Sequence, residues 1–134
     1  LSDAPLVATH SNAHALCPST RNLTDPQLDA IRDSAGMVGV NFAVGFLRED
    51  GRNEADTPIA EIVRHVEYLV DRMGIDHVGL GSDFEGALMP EELGGVAGLP
   101  KLVDALRDAG YRDGSLDKLT HANWLRVLDT TWHA

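Results

Sequence analysis

Cysteine is nearly absent from this chain: Cys17 stands alone among 134 residues. That excludes an intrachain disulfide and a CxxC metal site. It fits a reducing compartment, and a cytoplasmic location is the matching expectation. Positive charge is also scarce. Lys and Arg number 11 against 21 Asp and Glu, a formal net charge of -10. A nucleic-acid partner is therefore not expected, because phosphate binding wants a basic surface. No apolar run approaches the roughly 20 residues of a membrane span. Neither GxGxxG nor GxxxxGK[ST] follows a strand, so the dinucleotide and phosphate-loop readings fail. No repeat or low-complexity segment interrupts the chain. The opening residues, "LSDAPLVATHS", carry no basic-then-apolar leader and enter a strand without a methionine. Such an opening is expected of a piece of something longer.

What remains is the composition of a globular domain, 43% hydrophobic and 24% charged, long enough to bury a sizeable core. Strand and helix alternate. "PLVATHS" (5–11) reads as a buried strand. "LTDPQLDAIRDSAG" follows as a helix, with Thr24 and Gln27 as a capping box, Pro26 in the first turn and Gly36 as the C′ glycine. "MVGVNF" (37–42) is a second strand. "FLREDGRNEADT" is a polar loop. In "TPIAEIVRHVEYLVDRMG", Ile59, Ile62, Val63, Val66, Leu69, Val70 and Met73 form one buried stripe. Thr57 and Pro58 start that helix, Gly74 ends it, and His65 is expected to be partly exposed. "HVGLGSDF" is the third strand and "ALMPEELGGVAG" a long loop. "LPKLVDALRDAG" and "SLDKLTHANWLRVLDTTW" are the last two helices, with Ser115 as an N-cap. This order predicts an α/β fold with a parallel sheet.

In such folds the chemistry sits at the C-terminal ends of the strands. The three ends bring His10, Asn41 with Phe42, and Asp83. His10 could ligate zinc, or hydrogen-bond at a strand–loop junction. His14, four residues on, lies in a loop and suits a supporting or surface role. Asp83 could be a metal ligand or general base, or an aspartate capping the "SDFEG" turn. Arg21 could clamp a carboxylate bidentately, or make a surface ion pair. Glu85 is expected to point outward. His121, Asn123 and Arg126 suit structural roles. His77 starts the third strand, far from the mouth. Cys17 reads as an inert small residue. Trp124 and Trp132 suit core or interface packing.

Four segments, "THSNAHALCPSTRNLTDPQLDAI", "GMVGVNF", "HVEYLVDRMGIDHVGLGSDFEG" and "NWLRVL", together closely resemble the renal-dipeptidase-type metallopeptidases, also called membrane dipeptidases. The resemblance runs from Pro5 to about Leu128, in the family's order and spacing. It implies the C-terminal part of an amidohydrolase-type (β/α)8 TIM barrel, strands six to eight, with residues 1–134 forming one partial domain. It also implies zinc-dependent hydrolysis of dipeptides by a water activated between two Zn2+ ions. In this likeness His10 ligates zinc, Arg21 holds the substrate carboxylate, and Asp83 handles the proton of the attacking water. Asn41 belongs to the "NF" that ends the seventh strand, and with Arg21 and Phe46 it is expected to bind the substrate. Phe46 stands where the family can place a substrate-contacting tyrosine, so a hydroxyl contact there is in doubt.

The family's first-strand HxD pair, bridging glutamate and fifth-strand histidine have no counterpart here. One histidine and one aspartate cannot hold two zinc ions. The expected partner is thus the missing N-terminal portion of the barrel, or a second chain, with self-assembly into a homo-oligomer as the other outcome. Two further readings compete with the dipeptidase: a non-catalytic fragment serving as an oligomeric scaffold, and another amidohydrolase-type hydrolase.

Overall fold

A computed structural model of the chain describes residues 3–133. Within them the chain runs through β1 (Val7–Ala8), α1 (Asp25–Asp33), β2 (Met37–Asn41), α2 (Ala60–Met73) and β3 (Val78–Ser82). It continues through α3 (Leu99–Asp108), α4 (Asp113–Asp117) and α5 (Asn123–Trp132). The strands form one parallel sheet in the order β1-β2-β3. Successive side chains of a strand face opposite ways. Val38, Val40, Phe42 and Val78 join one core cluster with Leu28 of α1, Ile62, Val66 and Leu69 of α2, and Leu102 and Leu106 of α3. On the alternate positions, Gly39 and Gly79 leave room for the Trp124 ring of α5. A Cβ on either would lie 2.9 Å from the indole. The indole N–H donates to the Leu80 carbonyl at 3.1 Å.

The first strand is shorter than the apolar run 5–11 predicts. Regular pairing covers Val7 with Met37 and Ala8 with Val38. Beyond Ala8 the chain passes across the sheet face instead of along its edge. The Thr9 carbonyl lies 2.2 Å from where a Cβ would stand on Gly39 or on Gly81. Two side-chain-free positions on neighbouring strands make that crossing sterically open. The Ser11 N–H still reaches the Gly39 carbonyl at 2.9 Å.

The capping box of α1 forms as predicted, with Thr24 N–H donating to Gln27 Oε1 at 2.9 Å. Its C-terminus differs. Ala35, not Gly36, takes the left-handed conformation, at φ 59°. Ala35 N–H donates to Arg32 O and Gly36 N–H to Ile31 O, the paired bonds of a Schellman motif. Gly36 serves a different need, since a Cβ there would sit 1.8 Å from the Leu6 carbonyl of the neighbouring chain segment. Ala35→Gly should therefore raise stability by about 0.5–1 kcal/mol, read as a higher urea midpoint with unchanged slope. A lower midpoint would mean that left-handed strain is not what Ala35 carries.

In α2 the predicted stripe is buried, with Val70 partly so, and Gly74 ends the helix at φ 92°. Its first residue is Ala60, and the Ile59 N–H just before it is satisfied by Glu92 Oε2 at 2.9 Å. The final segment is one unbroken helical run, but Ser115 does not cap it: α4 starts at Asp113 behind Arg112, and a π-helical turn over Lys118–Ala122 joins it to α5. Leu6 and Val7 at the free edge of β1, and Leu125, Leu128 and Trp132 on α5, are exposed. Among the described residues no helix is long and apolar enough to cross a membrane.

Candidate functional site

The parallel sheet carries three chain segments to one end. His10 follows β1, Asn41 closes β2 and Asp83 follows β3. The register steps from Val40–Leu80 to Asn41–Ser82, so Gly81 is an extra residue on β3. Such a bulge bends the strand and re-aims the side chains beyond it. The backbone past the bulge is unusual, with Ser82, Asp83 and Glu85 all at positive φ (52°, 74° and 66°). None is glycine, so the surrounding structure must hold them there.

Asn41 joins the three strand ends. Its Nδ2 donates to Asp83 Oδ2 at 3.2 Å and, at a longer 3.5 Å, to the His10 carbonyl. Its Oδ1 accepts from the Ala43 N–H at 2.7 Å. The residue is 1% exposed, so its amide is spent inside the protein. His10 Nδ1 lies 2.7 Å from Thr9 Oγ1. If Nδ1–H donates to that hydroxyl, the Nε2 lone pair is left for a cation.

Arg21 and Phe46 form a second group. The guanidinium carbon lies 5.6 Å from the Phe46 ring centroid. That is cation–π geometry, which steadies the arginine while leaving its N–H donors for an anion. The two groups are tied by buried asparagines. Asn12 Nδ2 donates to the Asn41 carbonyl (2.9 Å) and the Phe46 carbonyl (3.1 Å), while Asn12 Oδ1 accepts from Asn41 N–H (2.8 Å). Asn22, next to Arg21, donates to the Cys17 and Phe46 carbonyls, each at 3.0 Å. A cleft of about 590 Å³ opens beside Phe46, with Cys17, Ser19, Glu49, Asp50 and Gly86 among its lining residues. Cys17 itself is buried, and burial pushes its thiol up.

Sequence reasoning missed His65, expected to be partly exposed. It is fully buried. Its Nδ1 accepts from the Ala13 N–H at 3.2 Å, and its Nε2 meets the Leu47 carbonyl at 2.9 Å. A carbonyl only accepts, so Nε2 carries the proton and the ring is neutral. Burial is the main cause that lowers its pKa, to about 4. The spacing did hold a signal: position 65 falls three after Ile62 and four before Leu69, on the buried stripe. His77 Nδ1 faces the Gly36 carbonyl at 2.8 Å, at the opposite end of the sheet. Asn123 and Arg126 bond only main-chain carbonyls, including those of Val78 and Asp76 respectively.

Among the described residues, no group of three or more His, Cys, Asp or Glu side chains comes together around a point where a metal could bind. His10 and Asp83 supply one imidazole and one carboxylate at the strand ends, fewer than the three protein ligands of a zinc site.

Known proteins resemble this chain in sequence and in fold. The family model for membrane dipeptidase (peptidase family M19) matches residues 1–133. A solved structure of a dipeptidase AC, a family M19 metallopeptidase, superposes with a TM-score of 0.97 at 57% identity, over 100% of this chain and 40% of that one. A metallopeptidase from Rhodobacter sphaeroides, solved with a phosphinate mimic of the dipeptide L-Ala-D-Ala, gives 0.96 at 58% identity, over 98% and 38%. The dipeptidase ataJ of Aspergillus terreus is 36% identical over 131 residues, 96% of this chain and 31% of its own. The chain thus spans less than half the length of the relatives it matches. Its sequence and its mixed α/β fold make it a member of the membrane dipeptidase family, peptidase family M19.

Proposed function

We propose that this chain is the C-terminal portion of a zinc-dependent dipeptidase, supplying strands six to eight of a (β/α)8 barrel. The observation that carries the reading is the convergence of His10, Asn41 and Asp83 at the C-terminal ends of three parallel strands. The metal centre's remaining ligands belong to the part of its relatives that this chain does not span. In the complete barrel His10 would help hold the zinc, which would supply a water acidic enough to attack at neutral pH. Asp83 would act as the base and acid, accepting a proton at its carboxylate and returning it to the leaving amine. Arg21, steadied on Phe46, holds the free carboxylate of the substrate, which restricts the reaction to short peptides.

Complementation tests this. The chain is co-expressed with the N-terminal portion of a dipeptidase-length relative, and the purified pair is assayed on L-Ala-D-Ala with and without added zinc. Zinc-dependent hydrolysis that fails with Asp83→Asn is the expected result. Arg21→Ala should raise KM on dipeptides by roughly 100-fold, the worth of a charge-assisted pair. An unchanged kcat/KM in that variant would favour another amidohydrolase-type substrate without a carboxylate.

The exposed apolar residues of β1 and α5 favour one alternative, a self-assembled scaffold without catalysis. A stable homo-oligomer that gains no activity from the N-terminal portion would support it.

A further inference from the structure

We propose that Asn41 is a positioning residue for Asp83: it fixes the direction in which that carboxylate leaves the end of β3, and it acts on substrate only through Asp83. The asparagine's own orientation is set by its neighbours. Oδ1 accepts from the Ala43 N–H, so flipping the amide would set one donor against another. Nδ2 must then face Asp83 Oδ2. The Asn41 backbone is held equally firmly, because the Asn12 side chain bonds both its N–H and its carbonyl. Asn12 is itself fully buried. A rigid donor is therefore presented to one oxygen of the Asp83 carboxylate.

The other oxygen is limited by space. A Cβ on Gly86 would stand 2.6 Å from Asp83 Oδ1. The glycine leaves room for the carboxylate, and any larger residue would displace it. Meanwhile the backbone of Asp83 lies at φ 74°, in the left-handed region that is less favoured for any residue but glycine. An unsupported carboxylate on such a backbone would sample several rotamers. A group that exchanges protons with the attacking water needs one. Asn41 has no amide atom left over for substrate, which separates this role from direct binding.

The consequence for catalysis rests on the dipeptidase reading, but the test does not. In isotopically labelled chain, three-bond couplings from Asp83 Cγ to its backbone N and C′ report χ1. Wild type should show the values of a single rotamer, and Asn41→Ala should show averaged ones. Asn22→Ala removes an amide of the same buried network that does not touch Asp83, so it should lose stability and keep the single-rotamer couplings. Single-rotamer couplings in a folded Asn41→Ala would overturn the proposal, as would averaging in Asn22→Ala. Should Asn41→Ala not fold, Asn41→Ser, whose shorter side chain cannot span the bond to Asp83 Oδ2, gives the second reading: averaged Asp83 couplings support the proposal, single-rotamer couplings overturn it. In the complemented enzyme, Asn41→Ala should lower kcat up to about a hundredfold with KM nearly constant. If complementation gives no activity at all, the dipeptidase reading fails while the rotamer result stands by itself.

Discussion

Replacing His65 by leucine should cost about 2 kcal/mol at pH 7 and flatten the pH dependence of stability between about 4 and 6.5. The first effect is a lost partner. Ala13 N–H lies in a fully buried residue and donates to His65 Nδ1. Leucine leaves it unpaired. The Leu47 carbonyl keeps a second donor, Arg64 Nη2 at 3.3 Å, so it is not orphaned. The second effect comes from charge. Burial disfavours the imidazolium, and nearby Arg64 adds to this; the Leu47 carbonyl and Glu61 oppose it without winning. Protonating Nδ1 would also set it against the Ala13 N–H. The folded pKa near 4 lies below the ordinary 6.5, so between these values the unfolded chain binds more protons. The stabilisation is whole above pH 6.5 and is lost as pH falls toward 4, by about 3 kcal/mol. Carboxylates held low by arginines, Asp29 by Arg72 and Asp50 by Arg48, lose their stabilisation from about pH 5 downward and so touch only the acid end of this window. Urea unfolding of both proteins at several pH values checks it. An equal slope from pH 4 to 6.5 in His65→Leu would assign the dependence elsewhere.

His65 also marks where the sequence stops being readable. Helix α2 was legible because its apolar spacing is local, and so were the capping box of α1 and the order of strands and helices. A histidine on the buried stripe was discounted for its polarity. Its partners, Ala13 and Leu47, are 52 and 18 residues away, and no short-range pattern reveals them. The same holds for Asn12, whose bonds reach Asn41 and Phe46 across 29 and 34 residues. The strand ends could be anticipated to carry His10, Asn41 and Asp83, since parallel topology puts them at one mouth. What sequence did not reveal was that Asn41 is turned onto Asp83. Nor did it show that Arg21 lies over Phe46, because both contacts join residues far apart in sequence, 42 positions in the case of Asn41 and Asp83.

A glycine leaves room that a side chain would otherwise fill. At position 81 the protein uses that room itself, and Gly81→Ala should be among its most damaging single-methyl changes. The new Cβ would stand 2.2 Å from the Thr9 carbonyl and 2.8 Å from the carbonyl carbon of Gly39. Both are main-chain atoms, so no side chain can rotate away and a strand must move. Overpacking of this kind costs about 3 kcal/mol or more, a fall in Tm of roughly 10 °C or more. The displaced segment is the one that leads to His10, and Gly81 is the bulge residue that aims Asp83. Stability and site geometry should therefore fail together. Gly114→Ala is the control. It lies in α4 with nothing within 4 Å of its Cβ position, and helix propensity favours the change by about 0.5–1 kcal/mol. Differential scanning calorimetry on the two variants gives the comparison. A Gly81→Ala protein as stable as wild type would mean that β1 reaches the mouth by another path, and the crossing at Thr9 would not be what brings His10 to Asn41. A large loss in that variant, with a small gain in Gly114→Ala, would identify two bare positions on adjacent strands as the feature that lets three strand ends meet.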